Sequence, residues 1–468
     1  MRPARFIVVP VALAAAALPV RAQSNEELLK ELKALRARVE ELEKKLAAVP
    51  TPPAGAQWGM TPEQAQELSR ITVKAESLQD NFVDQGFKGL TISGQIDPTW
   101  LYNRAQDNST FVFLNNGDAR YTYDNGYFGM AVLDFEKETE SGTRWKLTLA
   151  PERGTGAIFN GGSVIHEASV SIPLSDLQTR LWLGQIPDWT GYEITLPKGN
   201  KFITHNLLFD YTAPTAYTGA VLDLTRGKWW TRIGVANLNS ARNDSGNGNA
   251  PVLIYRVDYS KGEFDGFGFG GVHGKTRNYA ADGTWIDADG NEQTFSHAGK
   301  GTYVNLLEAD AYYTRGDWSL FGQASWGMQN DAAIDNADGR LRDARWWGVS
   351  ATAAYKFTPR LEGMLRADYL NDKKNGGGLL GYSFDDYLNG IGRGLEGDGS
   401  FAKRAGAGAN RYALALGMNY LLNENSIVKL EYRFDGATQP VFEVRDGIDV
   451  TGYRKRNHLF GASVVVFF

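Results

Sequence analysis

The chain has 468 residues, with 53 Gly, 16 Pro and no Cys, and its 49 Lys and Arg against 54 Asp and Glu give a formal net charge of −5. The lack of Cys excludes disulfide frameworks, thiol nucleophiles and Cys-ligated zinc, and the mild acidity argues against a nucleic-acid partner, which would need a basic excess. Beyond the extreme N-terminus no apolar run approaches the ~20 residues that a membrane-spanning helix needs, so a helical membrane protein is excluded as well.

Residues 1–22 read as an export signal. Arg2 and Arg5 form a basic start, Phe6 to Leu18 an apolar stretch, and Val20-Arg21-Ala22 a small-residue cleavage site. Residues 23–49 read as a short coiled coil. Leu28, Leu32, Leu35, Val39, Leu42 and Leu46 alternate in steps of four and three, placing them at a and d. In that register Glu31 faces Arg36 and Arg38 faces Glu43 between parallel neighbours, so the six apolar residues are the expected oligomerisation seam. Residues 50–86 are expected to form a linker, opening with Pro50 to Pro53, and a second, shorter helix. Thr61-Pro62-Glu63-Gln64 has the form of a capping box at the start of that helix.

Over residues 87–468 the hydrophobic period changes from 3.6 to two. Leu90, Ile92, Gly94 and Ile96 alternate with Thr91, Ser93, Gln95 and Asp97, and Val428, Leu430, Tyr432 and Phe434 alternate with Lys429, Glu431 and Arg433. Segments of about ten residues with one apolar face, separated by turns, are the pattern of a transmembrane β-barrel. Tyr355, Phe357, Tyr420 and Phe434 crowd the ends of apolar faces, as interfacial girdles do. Seven short turns are expected near 137–141, 173–176, 225–228, 262–263, 315–317, 358–359 and 422–425. Between them lie eight long loops, near 104–118, 151–163, 187–216, 239–250, 276–301, 329–343, 372–409 and 436–456. That alternation requires sixteen antiparallel strands with both ends on the short-turn side, so the fold class is all-β. It also assigns 206–211, which could pass for a strand, to the third long loop. Sixteen strands leave room for an aqueous lumen.

The run Leu183-Gly184-Gln185, Gly191-Tyr192-Glu193, Asn206-Leu207-Leu208-Phe209-Asp210-Tyr211-Thr212-Ala213-Pro214 and Thr218-Gly219 resembles the OmpL-like β-barrel porin family, most closely over 180–240. Glu431-Tyr432-Arg433-Phe434-Asp435 is similar to that family's Glu-Tyr-Arg-x-Asp strand. The heptad segment resembles the trimeric, coiled-coil-tipped porins of the phosphate-selective and dicarboxylate-associated groups. These resemblances imply an outer-membrane barrel and a homotrimer, and carry no substrate.

If the apolar faces meet lipid, Arg144, Lys146, Arg180, Arg232, Arg256, Lys356, Arg366, Arg411, Lys429 and Arg433 line the lumen. They share it with Asp97, Glu167, Asp223, Asp258, Glu308, Asp310, Glu362, Asp368 and Glu431. Selectivity filters use rings of like charge, so this mixed lining does not support a strongly anion-selective pore. The third loop carries an apolar piece, Leu207-Leu208-Phe209, that gains nothing in water. It is therefore expected to fold back into the barrel and narrow it, with Asp188, Glu193, Lys198, Lys201, His205 and Asp210 nearest the constriction. Asp287 to Asn291 and Asp335 to Gly339 lack the full twelve-residue calcium-loop pattern, and no metal or cofactor is expected.

The function that follows is passive diffusion of small hydrophilic solutes through an outer-membrane porin whose coiled coil lies in the periplasm. The alternative is a barrel that does not transport: a barrel enzyme, for which no G-x-S-x-G elbow is present, or an adhesive or structural anchor.

Overall fold

Alternation of apolar and polar side chains leaves a strand with one face for lipid and one for water, and a sheet of such strands satisfies its backbone in a membrane only by closing. The computed structural model has this form. It describes residues 61–84, 86–114, 127–152, 163–238, 251–277, 284–286, 291–294, 301–334, 341–374, 408–447 and 449–468. The expected signal segment and coiled coil lie outside these residues, as do most of the two Asp-rich loops. The chain divides into two units at residue 85.

In the first unit helix α1 spans Pro62–Asp84, 23 residues, within the stretch where the second helix is expected. Its capping box forms: the Thr61 amide donates to Gln64 Oε1 at 3.0 Å and the Gln64 amide to Thr61 Oγ1 at 3.3 Å.

The second unit is a closed antiparallel barrel of sixteen staves. β1 comprises Leu90–Ile96 and Thr99–Asn103, and β2 comprises Asn108–Val112 and Ala131–Glu138. Then follow β3 (Arg144–Leu149), β4 (Ile165–Asp176), β5 (Thr179–Pro187), β6 (Ala216–Arg226), β7 (Trp229–Leu238) and β8 (Val252–Ser260). The second half holds β9 (Asp265–Arg277), β10 (Gly301–Arg315), β11 (Trp318–Ile334), β12 (Leu341–Thr358), β13 (Leu361–Asn371), β14 (Arg411–Asn423), β15 (Ser426–Ala437) and β16 (Arg456–Phe467). Each stave pairs with its sequence neighbour, and β16 closes the ring by pairing with both parts of β1, through Ile96↔Val466 and Leu101↔Gly461.

Three local expectations differ. The first long loop is two features: a turn at 104–107 joins β1 to β2, and an insertion interrupts β2 between Val112 and Ala131, because Val112 pairs with Thr99 while Ala131 pairs with Ile96. Pro173 sits inside β4, at a register shift that needs no amide from it, so the turn is at 177–178 rather than at 173–176. Residues 207–211 lie in the third loop as expected but form a helical turn, α2 (Leu207–Tyr211).

Outward faces carry the apolar band, bounded by aromatic belts. Near the short turns Trp229 meets Tyr259 and Trp318 meets Tyr355, both with centroids 4.8 Å apart. Near the long loops Trp347 meets Tyr369 at 5.3 Å and Tyr432 meets Phe460 at 4.9 Å. Two belts flanking an apolar band match the two interfaces of a bilayer.

Candidate functional site

All ten expected lining cations lie on the faces opposite this band. Arg366 and Arg433 are fully buried, and Arg411, Lys429, Arg180, Arg232 and Arg256 nearly so. A buried guanidinium or ammonium needs partners, and for the staves β13 to β15 the third loop supplies them. This loop, 188–215, leaves β5 and returns at β6.

Arg366 makes five hydrogen bonds. Nη1 donates to Glu193 Oε1 at 2.9 Å and Thr204 O at 2.7 Å, Nη2 to Thr204 Oγ1 at 3.1 Å and His205 O at 2.9 Å, and Nε to Asp368 at 3.2 Å. Glu431 accepts from the amides of Ile203 and Thr204 at 2.8 and 2.9 Å and from the Thr204 hydroxyl. Arg433 Nη1 donates to His205 O at 2.8 Å, while its Nε holds Asp435 at 2.9 Å. Lys429 Nζ donates to Pro197 O and Asn200 O, both at 2.7 Å. Further contacts reach β1, where Gln95 accepts from the Lys198 amide, and β12, where Ser350 bonds the Tyr192 hydroxyl. A loop rooted at β5 and β6 that bonds the inward faces of β1 and β12 to β15 crosses the barrel interior.

The sequence of the loop explains its shape. Asn206 caps α2 by accepting from the amides of Leu208 and Phe209, both at 2.9 Å, while its own amide donates to Glu193 at 2.6 Å. That cap turns Leu207, Leu208 and Tyr211 onto the wall, where all three are buried in one cluster with Trp346 and Leu370. The wall is recessed to receive them. A Cβ at Gly348 would collide with the Leu208 side chain, and one at Gly417 would lie 2.7 Å from the Phe202 ring.

The six expected constriction residues separate into two groups. Glu193, His205 and Asp210 are buried and Asp188 is half-buried. Asp188 accepts from the Thr190 amide at 3.1 Å and from the Tyr217 hydroxyl; burial pushes its carboxyl up to about 6 against these bonds. Burial also raises the Glu193 carboxyl, with Arg366 the chief opposing charge. His205 stacks on Phe209 at 4.1 Å, and Tyr127, from the β2 insertion, meets both rings edge-on at 5.7 and 5.4 Å. Lys198 and Lys201 stay accessible, the first 3.9 Å over the Phe467 ring and the second paired with Glu362 at 2.7 Å.

Most of the other lining residues hold to the wall, while Arg411 and Arg232 also face rings of the third loop. Arg144 pairs with Glu138 at 3.3 Å and Lys146 with Glu136 at 3.0 Å. Arg180 bonds Ser171 and Gly142 O, both at 2.7 Å, and Arg411 lies 5.2 Å over the Tyr211 ring. Arg256 pairs with Asp258, Glu308 and Asp310 at 2.7, 3.0 and 2.5 Å, and Arg232 with Asp258 at 3.1 Å. Tyr127, Asn200, Thr204 and Asn206 are contributors that charge-based reading passes over; only the Asn-Leu-Leu-Phe cap signal could have flagged one of them. No group of three His, Asp or Glu able to hold a metal occurs among the described residues.

A family model for proteins of unknown function, DUF3138, matches residues 59–468. The chain belongs to the DUF3138 family. No curated protein matches this DUF3138 chain by sequence, and the likeness of 180–240 to OmpL-like porins remains a likeness. Among solved structures, the in-vitro folded outer-membrane protein OmpT of Vibrio cholerae has 10% identity and a TM-score of 0.51, over 81% of this chain and 97% of that one. The trimer form of OmpT has 11% identity and a TM-score of 0.50, over 81% and 99%. The outer-membrane channel DcaP of Acinetobacter baumannii has 12% identity and a TM-score of 0.48, over 81% and 97%. By its likeness to OmpT, the DUF3138 barrel has the fold of outer-membrane β-barrels.

Proposed function

We propose that this protein is a passive outer-membrane porin rather than an enzyme. Small hydrophilic solutes cross a water-filled lumen that the third loop narrows. The observation that carries the reading is the set of bonds from Arg366, Lys429, Glu431 and Arg433 to the backbone of 197–205. They fix a loop inside the barrel, where it occupies cross-section that solutes would otherwise use. Lys198 and Lys201 are the loop charges that meet solute. Glu193, His205, Asp210 and Asp188 act behind them by setting the loop's position.

In the same reading the barrel sits in outer-membrane lipid as a homotrimer, and OmpT of Vibrio cholerae, with a similar barrel, also has a trimer form. Leu28, Leu32, Leu35, Val39, Leu42 and Leu46 form a periplasmic coiled coil that joins the subunits. The test is single-channel recording of the full mature chain in a planar bilayer. Discrete steps are expected, and deletion of 198–212 raises their size. Unchanged conductance after the deletion would refute the narrowing, and a folded barrel that passes no current would refute the porin.

A further inference from the structure

At the short-turn end of the interior, beneath the tip of the third loop, lies a cavity of about 300 Å³. Its wall comes from the inward faces of β12 to β15, the 359–360 turn and the loop. Among its lining residues are five cations, Lys198, Lys201, Lys356, Arg360 and Lys429, and one carboxylate, Glu362. The carboxylate is already engaged, accepting from Lys201 at 2.7 and 2.8 Å. Lys429 is buried and spends its three N–H on the carbonyls of Pro197, Asn200 and Phe202, which fix its ammonium without neutralising it, so it adds charge to the cavity but no donor. Lys356 and Arg360 are exposed and make no ion pair among the described residues.

Taken over the whole lumen, the inward charges nearly balance, but here four positive charges are left over within one small, walled space. A concave site with one sign of charge concentrates ions of the other sign, and a space of this size suits a small solute. Two free cations, Lys356 and Arg360, beside the fixed charge of Lys429 match a compact anion with two charges, whose oxygens those two can share.

Resting on the porin reading above, we propose that this cavity is a binding step for small multivalent oxyanions on the solute path, inorganic phosphate or a short dicarboxylate being the class that fits. Chloride would pass through the same field with a weaker hold. The preference thus belongs to one mouth of the channel and not to its lining as a whole.

The experiment is planar-bilayer recording of the full mature chain in a potassium chloride gradient, with inorganic phosphate as the probe. The wild type should show a reversal potential displaced toward that of chloride, and phosphate should reduce the single-channel chloride current. The Lys356→Glu/Arg360→Glu double variant should move the reversal potential toward that of potassium. It should also raise the phosphate concentration for half block by about tenfold, since charge at a filter sets which ion is held. The Lys356→Gln/Arg360→Gln pair should fall between, and it decides the matter by the same two readouts if charge reversal prevents folding. Channels that step normally but keep reversal potential and phosphate block unchanged in the variants would overturn the site and leave the porin standing. Absence of steps in every form would overturn the porin and the site with it.

Discussion

Two walls of this barrel have the same alternation and the same kinds of inward charge, yet use them differently. On β7 to β10 the charges mostly hold one another: Arg256 is shared among Asp258, Glu308 and Asp310, and Arg232 shares Asp258 while meeting the loop only through the Trp189 ring, 4.7 Å away. On β13 to β15 they hold a loop from the other side, with Arg366, Glu431, Arg433 and Lys429 each bonded to third-loop backbone. Cross-strand pairing braces a wall and leaves the lumen as wide as the staves make it. Bonding to a loop fills it. A lining charge is therefore defined less by its own strand than by what stands opposite.

The largest effect that would sharpen this contrast comes from Arg366→Met. It leaves Glu193, Asp368 and Glu431 buried without their shared cation, a loss on the order of 3–5 kcal/mol. Limited proteolysis should then cut within 197–212, and single-channel conductance should rise. Arg256→Met removes a similarly paired cation from the other wall, and should lower thermal stability while the third loop stays protease-resistant. Equal loop exposure in both variants would dissolve the distinction.

Next in size is a pH effect at the loop's root. Burial holds Asp188 near 6, above the ordinary aspartate value of 3.8, so folding favours the protonated acid. The stabilisation is full below about pH 4 and is lost as pH rises through about 6, amounting to about 3 kcal/mol. Protection of 188–192 against hydrogen exchange, corrected for the intrinsic base-catalysed rate, should fall between about pH 4 and 6, and Asp188→Asn should flatten that profile. Glu431→Gln keeps one carbonyl acceptor for the two amides of Ile203 and Thr204. It should cost about 1–3 kcal/mol of loop docking, read as shorter dwell times in the narrow conductance state. Asn206→Ala removes the cap of α2 and should cost about 1 kcal/mol, visible as a modest increase in exchange at Leu208 and Phe209.

The barrel itself was legible in the sequence, because each stave states its own period and the alternation of short turns with long loops sets the number and parity. Local conformation was less so. Leu207-Leu208-Phe209 carries no period of its own, and its helical turn depends on Asn206, whose role as a cap was there to be read. The β2 insertion was hidden because the stave breaks off at Val112 and resumes at Ala131 at nearby register positions, which looks like a longer loop. The division among the constriction residues could not be read at all. Whether His205 meets water or Phe209 and Tyr127 depends on elements far apart in the chain, and no periodicity encodes that distance. The Glu431-Tyr432-Arg433-Phe434-Asp435 strand illustrates both cases. Its alternation told which side chains turn inward, while their grip on the loop required the fold.

The loop's bonds also impose an order in time. Its contacts to Lys429, Glu431 and Arg433 join residues 227 to 232 apart in sequence, and long-range pairing is reached late because closing a long loop costs entropy. The receiving surface, with its recesses at Gly348 and Gly417, does not exist until β12 to β15 stand side by side. Every newly made barrel therefore passes through a stage in which its staves are assembled and its interior is still clear. The docked third loop is the last thing this chain builds.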